Sequence, residues 1–206
     1  MKPVREVCVE SFQEALTVIA AGATRIELCE NLSVGGTTPS YGTIRQVTEM
    51  IKTPAMVMIR PRGGDFCYSK DEFEIMQHDI EACHQLGVHG VVFGLLNSDQ
   101  TIDIERTAQL VNLARPMQVT FHKAIDDAKD ILKAVRQLKT IGVDRILTSG
   151  GQPTAKGGSD TLRKMIEIAG DQPKIIVAGK VTWENFDEIQ HLIPSGEYHG
   201  RRLVNY

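Results

Sequence analysis

Strand-like and helix-like segments alternate from one end of this sequence to the other, and that alternation limits the fold more than any other feature. Short apolar runs read as buried strands near Val4 to Val9, Arg25 to Leu28, Ala55 to Arg60, Val88 to Gly94, Gln118 to His122, Arg145 to Thr148, Lys174 to Ala178 and Glu197 to His199. Helical spacing fills the gaps. Ser11 can cap a helix through Ala20, Thr38-Pro39 precedes one over Ser40 to Ile51, and Ser69 can cap one through Leu86. Further helices fit Asp103 to Ala114, Asp127 to Ile141, Ser159 to Ala169 and Thr182 to Leu192. Several end in a glycine that leads straight into the next strand, as in AGATRIEL, LGVHGVVF and IGVDRILT. Strands alternating with helices imply a parallel sheet, and this number of units favours closure into an α/β fold of the TIM (β/α)8 barrel type. An open doubly wound sheet is the other arrangement with this pattern. The last unit is abbreviated, because only GRRLVNY follows the eighth strand. No linker or low-complexity tract interrupts the pattern, so residues 1–206 are expected to form one domain.

Composition removes several classes of function. A chain of 206 residues, 42% hydrophobic and 24% charged, can bury one full core, and a formal net charge of -3 leaves no basic footprint for nucleic acid or an anionic membrane. Glu6 and Glu10 interrupt the first apolar segment, and no apolar run reaches the roughly 18 residues of a membrane span. The four cysteines, Cys8, Cys29, Cys67 and Cys83, show no CxxC spacing. They read as reduced thiols, and the expected location is cytoplasmic.

In a barrel of this kind the chemistry belongs to the carboxyl ends of the strands. The stretch MVMIRPRGGDFCY, Met56 to Tyr68, ends an apolar run in two arginines. If the chain stays extended, Met56, Met58, Arg60 and Arg62 share one side, with Val57 and Ile59 on the other. Two guanidiniums leaving a buried strand need negative partners, either carboxylates of the protein or a ligand. The same alternation sets Arg25, Glu27 and Cys29 opposite Ile26 and Leu28, and Gln118, Thr120 and His122 opposite Val119 and Phe121. With the apolar sides facing helices, Glu27, Arg60 and His122 converge near the barrel mouth, with Glu6 and Cys8 contributed by strand one. A carboxylate, a guanidinium and an imidazole in one cleft suffice for acid-base work on a small anion. A satisfied Glu-Arg bridge beside a hydrogen-bonded histidine is the structural alternative.

The glycine-rich loop Ser149 to Gly158 precedes a helix, so Ser149, Gly150 and Gly151 are candidate backbone donors to a phosphate, with Lys180 on the seventh loop as a point charge. Cys8 and Cys29 follow adjacent strands, and soft thiolates suit Cu(I). Cys83 sits within a helix, where a thiol behaves as a small hydrophobe.

The runs RIELCENLSVGGTTPSYG, MIRPRGGDFCYS, GVVFGLL, TFHKAID and RILTSGG occur in this order over most of the chain, which closely resembles the CutC family. The resemblance implies a cytoplasmic TIM barrel, usually oligomeric and here expected as a homodimer, with a role in copper homeostasis. It also implies a polar pocket formed by Glu27, Arg60, Arg62, Asp65, His122, Asp126 and Ser149. Two positions depart from the family pattern: Lys123 stands where arginine is common, and Lys180-Val181 replaces a glycine-rich turn. Two functional readings follow. One is a copper homeostasis protein that binds Cu(I) through Cys8 and Cys29. The other is an enzyme acting on a small anionic or phosphorylated metabolite without copper: Arg60 and Arg62 clamp the anion, Glu27 or His122 moves a proton, and Asp65 or Asp126 orients a basic partner. A partner-binding scaffold finds no support in an amphipathic tail or aromatic stripe.

Overall fold

The computed structural model describes residues 2–206. Eight parallel strands close in sequence order: β1 (Val4–Val9), β2 (Arg25–Leu28), β3 (Ala55–Met58), β4 (Gly90–Phe93), β5 (Gln118–Phe121), β6 (Arg145–Thr148), β7 (Lys174–Val177) and β8 (Glu197–His199). β8 pairs with β1 through Val4 opposite Glu197 and Glu6 opposite His199, so the ring has no free edge. Helices α1 (Phe12–Ala20), α2 (Tyr41–Met50), α3 (Lys70–Leu86), α4 (Ile104–Ala114), α5 (Ile131–Ile141), α6 (Ser159–Ala169) and α7 (Phe186–Leu192) connect consecutive strands. No helix follows β8 among the described residues, and buried Leu203 and Val204 pack there instead.

Local chemistry sets these elements. Ser11 accepts from Glu14 N, and Ser69 and Glu72 form a reciprocal capping box that starts α3. Gly87 and Gly142 end α3 and α5 at φ 71° and 79°, a left-handed turn that a β-carbon would strain. Three helix starts differ from the sequence expectation. α2 is capped by Ser40, because the Thr38 hydroxyl oxygen accepts from Arg60 N instead. α5 is capped by Asp130, because Lys123–Asp127 forms a separate 3-10 turn that aims Asp126 at the next loop. α7 starts at Phe186 rather than Thr182, whose N–H is taken by the Asn185 side chain.

Register fixes which side chains enter the lumen. Neighbouring parallel strands hold paired residues on the same face. Cys8 pairs with Glu27, Glu27 with Met56, Met56 with Gly90, Gly90 with Gln118, Thr120 with Arg145, Arg145 with Lys174 and Ile176 with Glu197. The inward set therefore includes Glu6, Cys8, Arg25, Glu27, Cys29, Met56, Met58, Arg60, Thr120, His122 and His199. Val7, Ile26, Val57, Val91, Val119, Ile146 and Val177 face outward into the main core against the helices.

Barrel lumens are usually packed with branched apolar side chains. Here the amino-terminal half holds a charged belt instead. Arg25 bonds Glu6 at 2.5 Å and Glu197 at 2.5 Å, Arg145 reaches Glu197 at 3.0 Å, and Gln118 accepts from Arg145. Burial acts to lower the Arg25 pKa, yet Glu6 and then Glu197 outweigh it and raise the pKa above its ordinary value. Removing one member would leave a buried charge without its partner, a loss of about 3–5 kcal/mol.

Candidate functional site

Above the belt the lumen opens into a chamber of about 140 Å³ lined by Cys8, Glu27, Met58, Phe66, His122 and His199, among others. Because β8, β1 and β2 are neighbours, the Cys8 thiol, a Glu27 carboxylate oxygen and a His199 ring nitrogen lie within 4.8 Å of one another. His199 Nδ1 sits 2.9 Å from Glu6 Oε1, while Nε2 faces Glu27 Oε2 at 3.8 Å. Burial alone would raise Glu6, but Arg25 and then His199 hold it down at about 2. Burial alone would lower His199; the negative groups around it, Glu27 first, raise it well above the ordinary histidine value. Burial raises Glu27, and His199 offsets this only in part. Its Oε1 has no hydrogen-bond partner among the described residues.

His122 occupies the opposite wall in a different state. Its Nδ1 accepts from Ala124 N at 3.2 Å, which places the ring proton on Nε2, and Nε2 has no partner among the described residues. Burial, then the Arg60 charge, pushes its pKa down to about 3. At neutral pH this imidazole is an uncharged hydrogen-bond donor rather than a base. Gly94 makes the ring's position possible, because a β-carbon there would lie 2.5 Å from His122 Nδ1.

The chamber continues outward into a mouth of about 450 Å³, bordered by Arg60, Phe66, Lys123, Asp126, Ser149 and Gly151. Arg60 donates through Nη1 to Val34 O at 2.9 Å and Gly36 O at 3.0 Å, and through Nη2 to Gly64 O at 2.7 Å. Its guanidinium also lies 4.9 Å from the Phe66 ring centroid.

Glu27 and His122 line the inner chamber and Arg60 the adjoining mouth, so the three residues expected to converge divide between two neighbouring spaces. Arg62 and Asp65 border neither. β3 ends at Met58, and the bends from Pro61 turn Arg62 away to Glu72 at 2.5 Å, Asp65 at 3.0 Å and the carbonyl of Cys67. This cluster fixes loop three to the start of α3. Lys180 is exposed at φ 56° and borders neither cavity.

The expected phosphate cradle is filled by the protein itself. Asp126 accepts from Ser149 N at 3.0 Å, Ser149 Oγ at 2.9 Å, Gly151 N at 2.9 Å and Thr148 Oγ1 at 2.5 Å, and Gly150 N goes to Thr148 Oγ1. Burial raises the Asp126 pKa, but Lys123 and these bonds more than offset it and keep the carboxylate ionised. Asp126 therefore positions loop six and has no free lone pair for proton transfer. Cys29 stands outside the group formed by Cys8, Glu27 and His199. It gives its thiol to Glu27 Oε2 at 3.5 Å, and burial followed by the Glu27 charge raises its pKa well above the usual thiol range.

Two contributors escaped sequence reasoning. Lys123 bonds Asp126 and Ser149 Oγ, each at 2.5 Å, and borders both cavities. His199 lies on the short last strand, where alternation with Glu197 could have placed it in the lumen.

The CutC family model matches residues 3–203. This chain belongs to the CutC family. It is 42% identical over 194 residues to the copper homeostasis protein cutC homolog of Homo sapiens, covering 94% of this chain and 71% of the human one. It is also 42% identical over 197 residues to the family protein CutC of Mesorhizobium japonicum, covering 96% and 76% respectively. The crystal structure of CutC from Streptococcus agalactiae superposes with a TM-score of 0.93 at 35% identity, covering 98% of this chain and all of that one. The CutC barrel thus carries two adjoining spaces: a chamber of thiol, imidazole and carboxylate, and a mouth edged by Arg60 and Lys123. No described helix is long and apolar enough to cross a membrane.

Proposed function

We propose that the protein serves copper homeostasis, as its human relative is named, by holding one Cu(I) ion in the inner chamber. The observation that carries this reading is the approach of Cys8, Glu27 and His199 within 4.8 Å. A thiolate and an imidazole are donors that Cu(I) accepts, and the Met58 thioether borders the same chamber. Glu6 against His199 Nδ1 supplies the carboxylate-histidine contact that aims the other ring nitrogen at a metal. Relative to the thiol pair expected from sequence, the donor set keeps Cys8 and exchanges Cys29 for His199 and Glu27. The unpaired state of all four cysteines agrees with a reducing cytoplasm, the compartment in which this activity belongs.

Binding has a proton cost. His199 must lose its proton and Cys8 must become a thiolate before either can ligate. Uptake therefore releases protons, and affinity rises with pH. Titration of the reduced protein with Cu(I) against a competing chelator tests the reading. One equivalent should be retained by the native chain and by Cys29→Ser, and lost in Cys8→Ser and in His199→Phe. Full retention by Cys8→Ser would remove the chamber as the copper site.

A further inference from the structure

The arginines of this protein provide an internal comparison. Arg25, Arg62, Arg106, Arg115 and Arg145 each pair with at least one carboxylate. Arg60 is among the most buried, at 4% exposure, and no carboxylate forms an ion pair with it among the described residues. Three backbone carbonyls solvate its Nη atoms but carry no net charge to oppose it. Its Nε–H has no acceptor among the described residues. A buried charge left in this condition is costly unless something else balances it.

Two further donors face the same connected space. The buried His122 Nε2–H has no partner among the described residues, and His122 lines the inner chamber. Lys123 spends two of its three ammonium protons on Asp126 and Ser149, which leaves one, and the residue borders both cavities. Charge bookkeeping at the mouth then favours one kind of ligand. Asp126 and Asp127 both border the mouth, but Lys123 is ion-paired with Asp126, and Arg60 is the bordering cation without a carboxylate partner among the described residues. Phosphate recognition would call on the N–H groups of loop six, and Asp126 already occupies those of Ser149 and Gly151. Val34, Phe66 and Pro153 supply apolar wall, beside the polar Asp127 and Gln152.

We propose that the barrel mouth binds a small monocarboxylate, its oxygens set against Arg60, Lys123 and His122 Nε2–H and its compact apolar body against Phe66. The site is separate from the copper reading, since none of its three donors belongs to the proposed metal set. Charge-assisted bonds from a guanidinium and an ammonium to a carboxylate are strong enough to be measured singly.

The experiment uses the metal-free full chain, so that its outcome does not depend on copper. Thermal shift and calorimetric titration are run with acetate, pyruvate and benzoate, with acetamide as the neutral counterpart of acetate, and with inorganic phosphate at matched ionic strength. At least one carboxylate should bind saturably, acetamide should not bind, and phosphate should bind more weakly than the best carboxylate. Lys123→Gln, which alters a half-exposed side chain, should weaken that carboxylate about tenfold while the circular dichroism stays native. His122→Phe should weaken it independently of any change caused in the loops by altering Arg60. Absence of saturable binding by every carboxylate would overturn the proposal. So would equal binding by acetamide, tighter binding of phosphate, or undiminished binding in both variants.

Discussion

Replacing Asp126 by asparagine tests whether loop six is held by an internal anion. The native carboxylate accepts from Lys123, Thr148, Ser149 and Gly151 through both oxygens. An asparagine has one acceptor oxygen and a donor NH₂. Whichever way the amide turns, that NH₂ meets either the side of Gly151 N–H and Thr148 or the side of Ser149 and Lys123. One backbone donor is then left facing another donor, at about 1–3 kcal/mol, and a hydroxyl bond must be rearranged at about 1 kcal/mol. The Lys123 ammonium is 46% exposed, so its ion pair is screened by solvent and adds little. The expected loss for Asp126→Asn is about 2–4 kcal/mol in urea unfolding at pH 7. The pH dependence supplies a second arm. The folded pKa of Asp126 is lowered, so its contribution is complete above the unfolded carboxylate range and disappears as pH falls through the folded value. The native protein should lose this part of its stability on acidification, and the asparagine variant, lacking it at every pH, should show a correspondingly shallower acid limb. In the smaller Asp126→Ala variant, added formate should restore part of the stability by entering the vacated cradle. A loss below about 1 kcal/mol at pH 7, with an unchanged acid limb, would refute the account.

Three other outcomes follow from contacts already described. Arg25→Met should cost about 3–5 kcal/mol in chemical unfolding, because Glu6 and Glu197 keep their burial and lose the guanidinium between them; a neutral result would mean that the belt relaxes. His122, with its pKa near 3, should show no imidazole titration by NMR between about pH 5 and 8. Since the unfolded histidine takes a proton below about 6.5, this residue contributes stability at neutral pH that falls away as pH drops from there toward 3; a titration midpoint near 6.5 in the folded state would exclude the buried neutral ring. Gly94→Ala should destabilise by about 1–3 kcal/mol and shift the His122 ring resonances, since the added methyl meets Nδ1; unchanged resonances would show that the backbone gives way instead.

Strand parity made much of this arrangement legible in the sequence. Glu27, Arg60 and His122 are inward because they alternate with Ile26 and Leu28, with Val57 and Ile59, and with Val119 and Phe121, and closed register carries that parity round the ring. Parity stops informing where the strand stops. Arg62 looked equivalent to Arg60 two positions earlier, yet the bends that begin at Pro61 redirect the chain between them. Asp126 was visible as a polar residue near the mouth, but its role depends on loop five reaching loop six across an interval of more than twenty residues. The same meeting of loops turned Lys123 from a departure in a motif into a side chain shared by both cavities. For Ser149 to Gly151 the composition did indicate an anion cradle, and the structure supplies the anion from within.

Arg60 also has a mechanical meaning. One guanidinium is tied at once to the carbonyls of Val34 and Gly36 on the second loop and Gly64 on the third. Two surface segments that the chain separates by an entire helix are thereby riveted into a single lip. Any widening of the opening must carry both halves of that lip together, or first break the rivet.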